Sequence, residues 1–262
     1  MLVDSHCHLD FKDFDADRDD VLARAKAAGV DLMVTISTKI TEAEKIIKLA
    51  ETSEALVCSI GIHPHEAGRE PETNAAQLVA LAKHEKVVGI GETGLDYFYE
   101  HSPRDAQQRN FRAHIEASRK SRLPLIVHAR DADEDTADIL EDEMGKGEYP
   151  GLIHCFTAGP ELARRALDIG FYISISGIVT FKNATDLRET IKAVPFERLL
   201  VETDAPFLAP VPHRGKRNEP SFVADTAAML AELKGVSTEE LARITSDNFF
   251  TLFSKAKRPS GA

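Results

Sequence analysis

Histidines and carboxylates recur near the ends of short apolar segments along this 262-residue chain. The segment "LVDSHCHLD" at the N-terminus carries His6 and His8 one residue apart, flanked by aspartates. Neutral imidazole and carboxylate groups are ligands for zinc, manganese and similar divalent ions. Buried together without cations or other partners, they would be costly to desolvate. The residue types therefore predict a metal site if the fold brings them together. The other candidates are His63, His65, Glu92, His128, His154, Glu202 and Asp204.

The elements that must position these residues follow from an alternation of apolar and amphipathic segments. Eight short apolar segments have the Val, Ile and Leu content of strands buried on both faces. Longer helical patterns lie between them, and in the second of these Thr41 and Glu44 are predicted to form a capping box. The predicted strands cover residues 1–9, 31–38, 55–63, 86–94, 123–129, 151–156, 171–178 and 198–206. Helical patterns include residues 15–29, 39–53, 102–121, 221–234 and 237–255.

Eight strand–helix repeats predict an α/β fold, a (β/α)8 TIM-type barrel. An open doubly wound sheet is the alternative, but it favours a glycine-rich first turn, and the first strand here ends in "HCHLD". No shift in composition divides the chain, so we expect a single hydrolase barrel domain over residues 1–262.

In such a barrel the chemistry sits at the C-terminal ends of the strands, where these candidates fall. Successive residues of a strand point to opposite faces, so His6 and His8 share one side and Cys7 packs on the other. Glu92 is the natural candidate to bridge two ions. Each residue alone has a plainer explanation, such as a core histidine or, for Asp204, a helix cap. The prediction depends on the conjunction of several strands.

Other polar residues divide between the surface and the rim of this site. His84, His101 and His114 fall in predicted helices or the loop before one, and we expect them on the surface. His65 either lines a pocket with His63 or caps the next segment. The basic stretch "PHRGKRNEP" (212–220) follows the eighth strand, and Arg130 lies two residues after His128. Arginine forks match phosphate oxygens, so both predict anion recognition.

Composition narrows the class of protein. A net charge of −11 argues against a protein that coats nucleic acid or a membrane surface with a basic face. The cysteines Cys7, Cys58 and Cys155 have no paired spacing and are predicted to be reduced and buried. Neither a signal peptide nor an apolar run of about 20 residues is evident, so we expect a cytoplasmic protein. No obligate protein partner is evident.

The ordered motifs resemble the TatD family of metal-dependent deoxyribonucleases, a branch of the amidohydrolase-like barrels. The similarity spans Val3 to about Pro220, and the last motif is the most specific. The motifs are "DSHCHLD", "GIHPH", "GETGLDY", "LPLIVHARDA", "GLIHCF", "SISGIVTFKNA" and "LLVETDAPFLAPVPHRGKRNEP". The resemblance implies hydrolysis of DNA phosphodiester bonds, often from the 3′ end, with DNA ends as the substrate.

The resemblance also implies roles for individual residues, with two divalent ions per subunit (Mg, Mn or Zn). His63 and Arg214 would belong to the substrate-binding surface. By hypothesis, Asp204 accepts the proton of the attacking water, and Glu202 orients a ligating histidine from behind or is a plain interior carboxylate. The first ion would be held by His6, His8, Glu92 and Asp204, and the second by Glu92, His128 and His154.

Two alternatives stay open at this point. The same barrel and ligands support hydrolysis of other esters or amides, such as aminoacyl esters on tRNA, although "LPLIVHA" offers no lysine to bridge the ions. A binding protein that retained a metal site is the second. The acidic net charge favours short single-stranded ends over a long duplex track as the substrate.

Overall fold

Eight parallel strands follow one another around the sheet in chain order in the computed structural model, which describes residues 1–259. The predicted fold, a (β/α)8 barrel, is confirmed. The predicted domain extends to residue 262, and its last three residues lie outside the described range. The strands are β1 (Leu2–Cys7), β2 (Val30–Thr35), β3 (Leu56–Ile60), β4 (Val87–Asp96), β5 (Leu125–Arg130), β6 (Gly151–Ile153), β7 (Tyr172–Ile175) and β8 (Leu199–Val201).

Helices cover the outside of the sheet and connect its strands. All five helical patterns predicted from the sequence contain a helix. The helices are α1 (Arg18–Ala27), α2 (Ala43–Glu51), α3 (Ala75–Leu81), α4 (Arg104–Ser121), α5 (Asp133–Met144), α6 (Pro160–Asp168), α7 (Thr185–Ala193), α8 (Val223–Lys234) and α9 (Thr238–Leu252). Among residues 1–259, none of them has both the length and the apolar character needed to cross a bilayer.

The predicted capping box at Thr41 and Glu44 is wrong. Thr41 lies in a short 3-10 helix ahead of α2, and its hydroxyl and backbone N–H donate to the Glu70 carboxylate at 3.0 and 2.9 Å. A distant carboxylate thus takes the place of the local cap. A capping box is present at the start of α3, where Asn74 and Gln77 exchange side-chain and backbone hydrogen bonds.

The barrel closes between β1 and the segment that follows β8. Backbone hydrogen bonds run from the His8 N–H to the Ala205 carbonyl (2.7 Å) and from the Asp204 N–H to the His6 carbonyl (2.9 Å). Cys7 and Ala205 form an isolated parallel bridge between them. The closure therefore passes through the residues that carry the candidate ligands of the first ion.

The core has two layers, separated by the alternation of each strand. The outer layer lies between strands and helices and includes Cys7, as predicted, and Cys58. The inner layer includes an apolar residue near the start of each strand, and the β2 segment adds Val34 and Ile36. Phe249 and Leu252 of α9 and the following Phe253 pack against these side chains. These α9 side chains close the N-terminal end of the barrel. We call this inner layer the apolar plug; its strand residues include Val3, Leu32, Val57, Val88, Ile126, Leu152, Tyr172 and Leu200.

Candidate metal centre at the C-terminal end of the barrel

The polar residues predicted from the sequence meet at the C-terminal ends of the strands. They face an open cleft of about 1180 Å³. Glu92 and His128 lie within β4 and β5, His154 directly follows β6, and Asp204 comes three residues after β8. Each therefore stands on a strand or on the first residues after one, where the barrel backbone is rigid. The cleft is lined by His8, His63, His65, Glu92, His128, His154 and Asp204, among others.

A first donor group is formed by His6, His8, Glu92 and Asp204. The Nε2 atoms of the two histidines are 3.3 Å apart. His6 Nε2 lies 3.5 Å from Glu92 Oε2 and 3.7 Å from Asp204 Oδ1, and His8 Nε2 lies 3.4 Å from the same Asp204 oxygen. Ligands about 2.1 Å from a tetrahedral ion are separated by about 3.4 Å. The spacing of the four donors therefore fits one divalent ion.

A second donor group faces the other carboxylate oxygen of Glu92. His154 Nε2 lies 2.7 Å and His128 Nδ1 3.1 Å from Glu92 Oε1. These two nitrogens are 3.4 Å apart. The two oxygens of Glu92 thus point to different sets of imidazoles, which is the arrangement of a carboxylate that bridges two ions.

The electrostatics of the cluster also fit a cation. Burial alone would raise the pKa of Glu92, but the electrostatic interaction with the surrounding histidines, His154 above all, outweighs it and holds this pKa well below its ordinary value. Burial opposes protonation of His154, yet the charges of Glu92 and Glu202 raise its pKa well above the ordinary value. The carboxylates thus draw positive charge into a desolvated site. A divalent ion would supply that charge in place of the histidine protons.

Two of the imidazoles have a defined partner on Nδ1, the ring nitrogen that faces away from the cluster. His8 Nδ1 lies 3.2 Å from the Ile36 carbonyl, which can only accept a hydrogen bond. His154 Nδ1 lies 3.2 Å from Glu202 Oε1. Each interaction places the proton on Nδ1 and leaves the lone pair of Nε2 toward the cluster.

Glu202 is fully buried behind His154. Its Oε1 accepts both the His154 ring N–H and the backbone N–H of Cys155, the latter at 2.7 Å. Glu202 and His6 also belong to one group of potential ligand atoms with His154. This placement is the one expected of a residue that orients a ligating histidine.

Asp96 is a residue of the site that sequence reasoning missed. Its Oδ2 lies 3.1 Å from His128 Nε2 and 2.8 Å from His65 Nε2, and its Oδ1 accepts the Tyr99 N–H. Burial opposes ionisation of Asp96, but the hydrogen bonds from His128 and His65 hold its pKa well below the ordinary value. Asp96 thus fixes the ring of His128 with Nδ1 toward Glu92. The sequence did contain a signal for Asp96. Glu92 and Asp96 are four residues apart on β4, and the strand period of two predicts that they share a face.

Gly94 lies between these two carboxylates for a steric reason. It pairs with His128 across β4 and β5. A Cβ atom at this position would lie 2.0 Å from the His128 carbonyl oxygen. Any side chain here would separate the two strands and move His128 away from Glu92.

His63 belongs to the cluster, but as a hydrogen-bond donor. Its Nε2 lies 3.5 Å from Glu92 Oε1, close enough to count among potential ligands. Its Nδ1 accepts the backbone N–H of His65 at 3.1 Å. Burial lowers the pKa of His63 well below the ordinary value, which favours the neutral ring. With Nδ1 acting as an acceptor, the neutral ring carries its proton on Nε2, and an N–H directed at the cluster suits a substrate oxygen better than an ion.

Asp4 joins the closing strands below the cluster. A register shift in β1 between Asp4 and Cys7 interrupts the regular pairing of this strand with β2. Its carboxylate accepts the N–H and hydroxyl of Thr203 at 2.9 and 2.6 Å and the N–H of His6 at 3.3 Å. Asp4 therefore braces the backbone on both sides of the first donor group.

The predicted anion-binding residues lie in different places. Arg130 is exposed, lines the cleft, and stacks on Phe98 and Tyr99 with its guanidinium 4.3 and 4.7 Å from the ring centroids. Arg214 packs 3.8 Å above the ring of Phe181 and is not among the residues that line the cleft. Its substrate-binding role stays a prediction.

The basic stretch 212–220 does not form one cluster. His213 stacks on Phe222 and pairs with Asp225 at 3.3 Å. Arg217 pairs with Asp17 at 2.7 Å on the outside of the barrel. Adjacent residues of an extended loop point in different directions, which the sequence pattern did not resolve.

Two lysines in the cleft were also missed. Lys12 and Lys39 follow β1 and β2 and line the same cleft as Arg130. Neither side chain forms a hydrogen bond or ion pair with another residue in the range 1–259. The available signal was their position just after a barrel strand, where side chains reach the mouth.

One predicted surface histidine is buried. His114 in α4 is inaccessible to solvent, accepts the Ile62 N–H on Nε2 at 3.1 Å, and donates from Nδ1 to the Asn110 carbonyl. The surface prediction for this residue is therefore wrong. His114 lies with Phe111 and Ile115 on the buried face of α4, and this helix packs against β4. His84 is half-buried beside Glu51, and His101 is exposed at the cleft.

A closed parallel barrel with histidines and carboxylates gathered at its C-terminal mouth defines an amidohydrolase-like barrel. The family model described as "TatD related DNase" matches residues 3–254. The chain belongs to this family and is a metal-dependent hydrolase.

Similar proteins cover nearly the whole chain. The metal-dependent hydrolase YcfH of Escherichia coli K12 is 48% identical, over 97% of this chain and 96% of its own length. A protein of Citrobacter koseri named 3′-5′ ssDNA/RNA exonuclease TatD is 36% identical over 96% of this chain and 98% of its own. The solved structure of YJJV, a TatD homologue from Escherichia coli K12, matches with a TM-score of 0.89 and 29% identity, covering 97% and 98% of the two chains.

Proposed function

We propose that this protein hydrolyses phosphodiester bonds of DNA and removes nucleotides from the 3′ ends of single strands, using two divalent ions. One observation carries the proposal: the two oxygens of Glu92 face two separate donor groups, 3.5 Å from His6 and 2.7 Å from His154. Paired ions about 3.5–4 Å apart suit in-line displacement at phosphorus. The family description and the printed name of the Citrobacter koseri relative support the same substrate class.

We propose that the two donor groups described above hold the two ions. The first ion would bind His6, His8, Glu92 and Asp204, and the second Glu92, His128 and His154. Magnesium, manganese or zinc would supply Lewis-acid polarisation of the phosphate and a lower pKa for the attacking water. All other parts of the mechanism are assigned to side chains of the protein.

Asp204 is the proposed proton acceptor. Burial would raise its pKa, but the hydrogen bond from His8 and the charges of His6 and His154 lower it below the ordinary value. Its side chain is 14% exposed, against 2% for Glu92, so of these two carboxylates it has the greater access to water in the cleft. A water held between Asp204 and the phosphate would lose its proton to the carboxylate as it attacks.

Cations around the cleft would position the phosphate. The Nε2–H of His63 points at the cluster and is proposed to donate to a non-bridging oxygen. Lys12, Lys39 and Arg130 are the cationic residues of the rim whose side chains have no carboxylate partner in the described chain. So few phosphate contacts predict a modest dependence of affinity on salt, and they favour short ends over long duplex tracks.

The test is cleavage of oligonucleotides that are labelled at one end and blocked at the other. With titrated magnesium, manganese or zinc, a single strand with a free 3′ end should be shortened one nucleotide at a time. A strand with a blocked 3′ end should persist. Aminoacyl esters and lactones form a parallel panel. Turnover of that panel without cleavage of any oligonucleotide would contradict the proposal.

A further inference from the structure

We propose that the ring of Phe207 is a stacking platform for the base of the nucleotide that is being removed. The inference rests on the proposed function and adds a determinant of its substrate. Phe207 lies three residues after Asp204, lines the cleft, and is 51% exposed. Its ring centroid is 6.3 Å from that of His8. A base on this ring would therefore lie beside the first donor group.

The Phe207 side chain is half exposed and makes only edge-type contacts with other aromatic rings of the described chain. Its aromatic neighbours His8 and Phe11 meet it at steep angles, 66° and 76°. No ring among the described residues stacks parallel to it. Bases stack on aromatic side chains through their flat faces, and the interaction tolerates any sequence.

The backbone holds Phe207 in this exposed position. Asp204, three residues earlier, and Leu208, the next residue, have positive φ angles of 58° and 57°. Leucine adopts this conformation only when the surroundings impose it. The buried side chain of Asn218 donates to the Phe207 carbonyl at 2.6 Å and to the Thr203 carbonyl at 2.9 Å. The Phe207 N–H in turn donates to the Asp204 carbonyl at 2.9 Å.

Gly177 permits the close approach of this loop to the barrel. A Cβ atom on Gly177 would lie 2.5 Å from the Leu208 carbonyl oxygen. The segment that carries Phe207 is thus fixed from both sides. An exposed aromatic ring on a fixed backbone loses little freedom when a ligand stacks on it.

The other large exposed apolar side chains differ from Phe207. Phe98 and Val211 are 55% and 49% exposed but do not line the cleft. Tyr99 lines the cleft at 49% exposure, but its ring already stacks on His101 at an angle of 7° and lies under Arg130. Phe207 therefore combines exposure, a place in the cleft and an unstacked ring.

The experiment compares two single strands that differ only at the 3′-terminal nucleotide. One carries a normal base, and the other carries a tetrahydrofuran abasic residue with the same phosphates. We expect wild-type protein to cleave the normal end with a kcat/KM about tenfold higher, mainly through KM. Phe207→Leu, which keeps an apolar side chain, should bring the ratio of the two substrates close to one.

Phe98→Leu is the matched control, because it makes the same change on a ring with similar exposure outside the cleft. It should keep the wild-type ratio. Equal cleavage of both substrates by wild type, or an unchanged ratio in Phe207→Leu, would overturn the inference and leave the proposed function standing. Failure of wild type to cleave either strand would overturn both.

Discussion

The two ends of the barrel interior use the same strands for opposite purposes. At the N-terminal end, the apolar plug fills the interior with side chains such as Leu32, Val88 and Leu200, and Phe253 closes it from outside. At the C-terminal end, the buried side chains of Glu92, Glu202, His6, His8 and His154 face each other with little exposure to solvent. Residues two to four positions apart on one strand thus stand in very different surroundings.

The protein combines an apolar layer that stabilises the fold with a site whose ionised groups are unfavourable to desolvate. Burial of apolar area at the plug contributes roughly 25 cal/mol per Å². Ionised groups brought together at the mouth lose hydration that only partners or cations restore. The apolar plug and the candidate metal centre are built on the same eight strands. Packing of the plug therefore helps to fix the positions of the candidate ligands at the C-terminal end.

The largest effect is expected at the mouth, from Asp204→Asn. Cleavage should fall at least about 1000-fold, because the variant lacks the proposed base and one anionic ligand. The unfolding free energy of chelator-treated protein should change by less than about 1 kcal/mol, since asparagine also accepts a positive φ. Oligonucleotide cleavage and urea unfolding measure the two. Asp186→Asn on the exposed face of α7 is the control, and full activity in Asp204→Asn would reject the assignment.

At the apolar plug we expect Phe253→Ala to lower stability strongly and to change activity little. Phe253 is fully buried, and its truncation should lower the unfolding free energy by about 3–5 kcal/mol. The folded fraction should keep kcat/KM within about twofold. Denaturant unfolding and cleavage at low temperature measure both quantities. The partly buried Phe250 provides a control whose truncation should cost less, and a large loss of activity in folded Phe253→Ala would mean that the two ends are not separable.

A pH experiment isolates a buried histidine that lies at neither end. Burial lowers the pKa of His114 to about 4 from 6.5. Below pH 6.5 the unfolded chain takes up a proton that the folded state refuses, so stability is lost as the pH falls from 6.5 to 4, by up to about 3 kcal/mol. His114→Gln should lose less stability over that interval. Unfolding of both chelator-treated proteins at several pH values tests this, and identical slopes would contradict it.

The smallest effect is expected from Asp96→Asn, which weakens the hydrogen bond that orients His128 and removes no candidate ligand. Affinity for the ion of the second donor group should fall about 10- to 100-fold, because His128 loses its fixed orientation. Calorimetric titration with manganese or zinc measures it, with the first binding step as internal reference. Asp135→Asn, which instead affects a hydrogen bond to Tyr97, should leave both steps unchanged. Equal weakening of both steps would show that Asp96 acts on the whole fold.

The sequence determined the order of the elements and the end of the barrel that carries the chemistry. Apolar runs and their period of two are local properties, so eight strands were predictable. The donors at their C-terminal ends, from His6 and His8 to Asp204, followed from position along each strand. The fold and the candidate donors were therefore accessible without coordinates, whereas the division of these donors between two ions was implied only by the family resemblance.

Only the tertiary structure decided which atoms meet. Several contacts of the site depend on distances between strands that are far apart in sequence. They are the contacts of the two Glu92 oxygens with separate histidines, the hydrogen bond of Asp96 with His128, and the approach of His63 Nε2 to Glu92. The burial of His114 and the position of Arg214 outside the cleft depend on which face a helix or loop presents. Residue type and spacing specify what each strand carries, but the closure of the barrel determines which side chains share a partner.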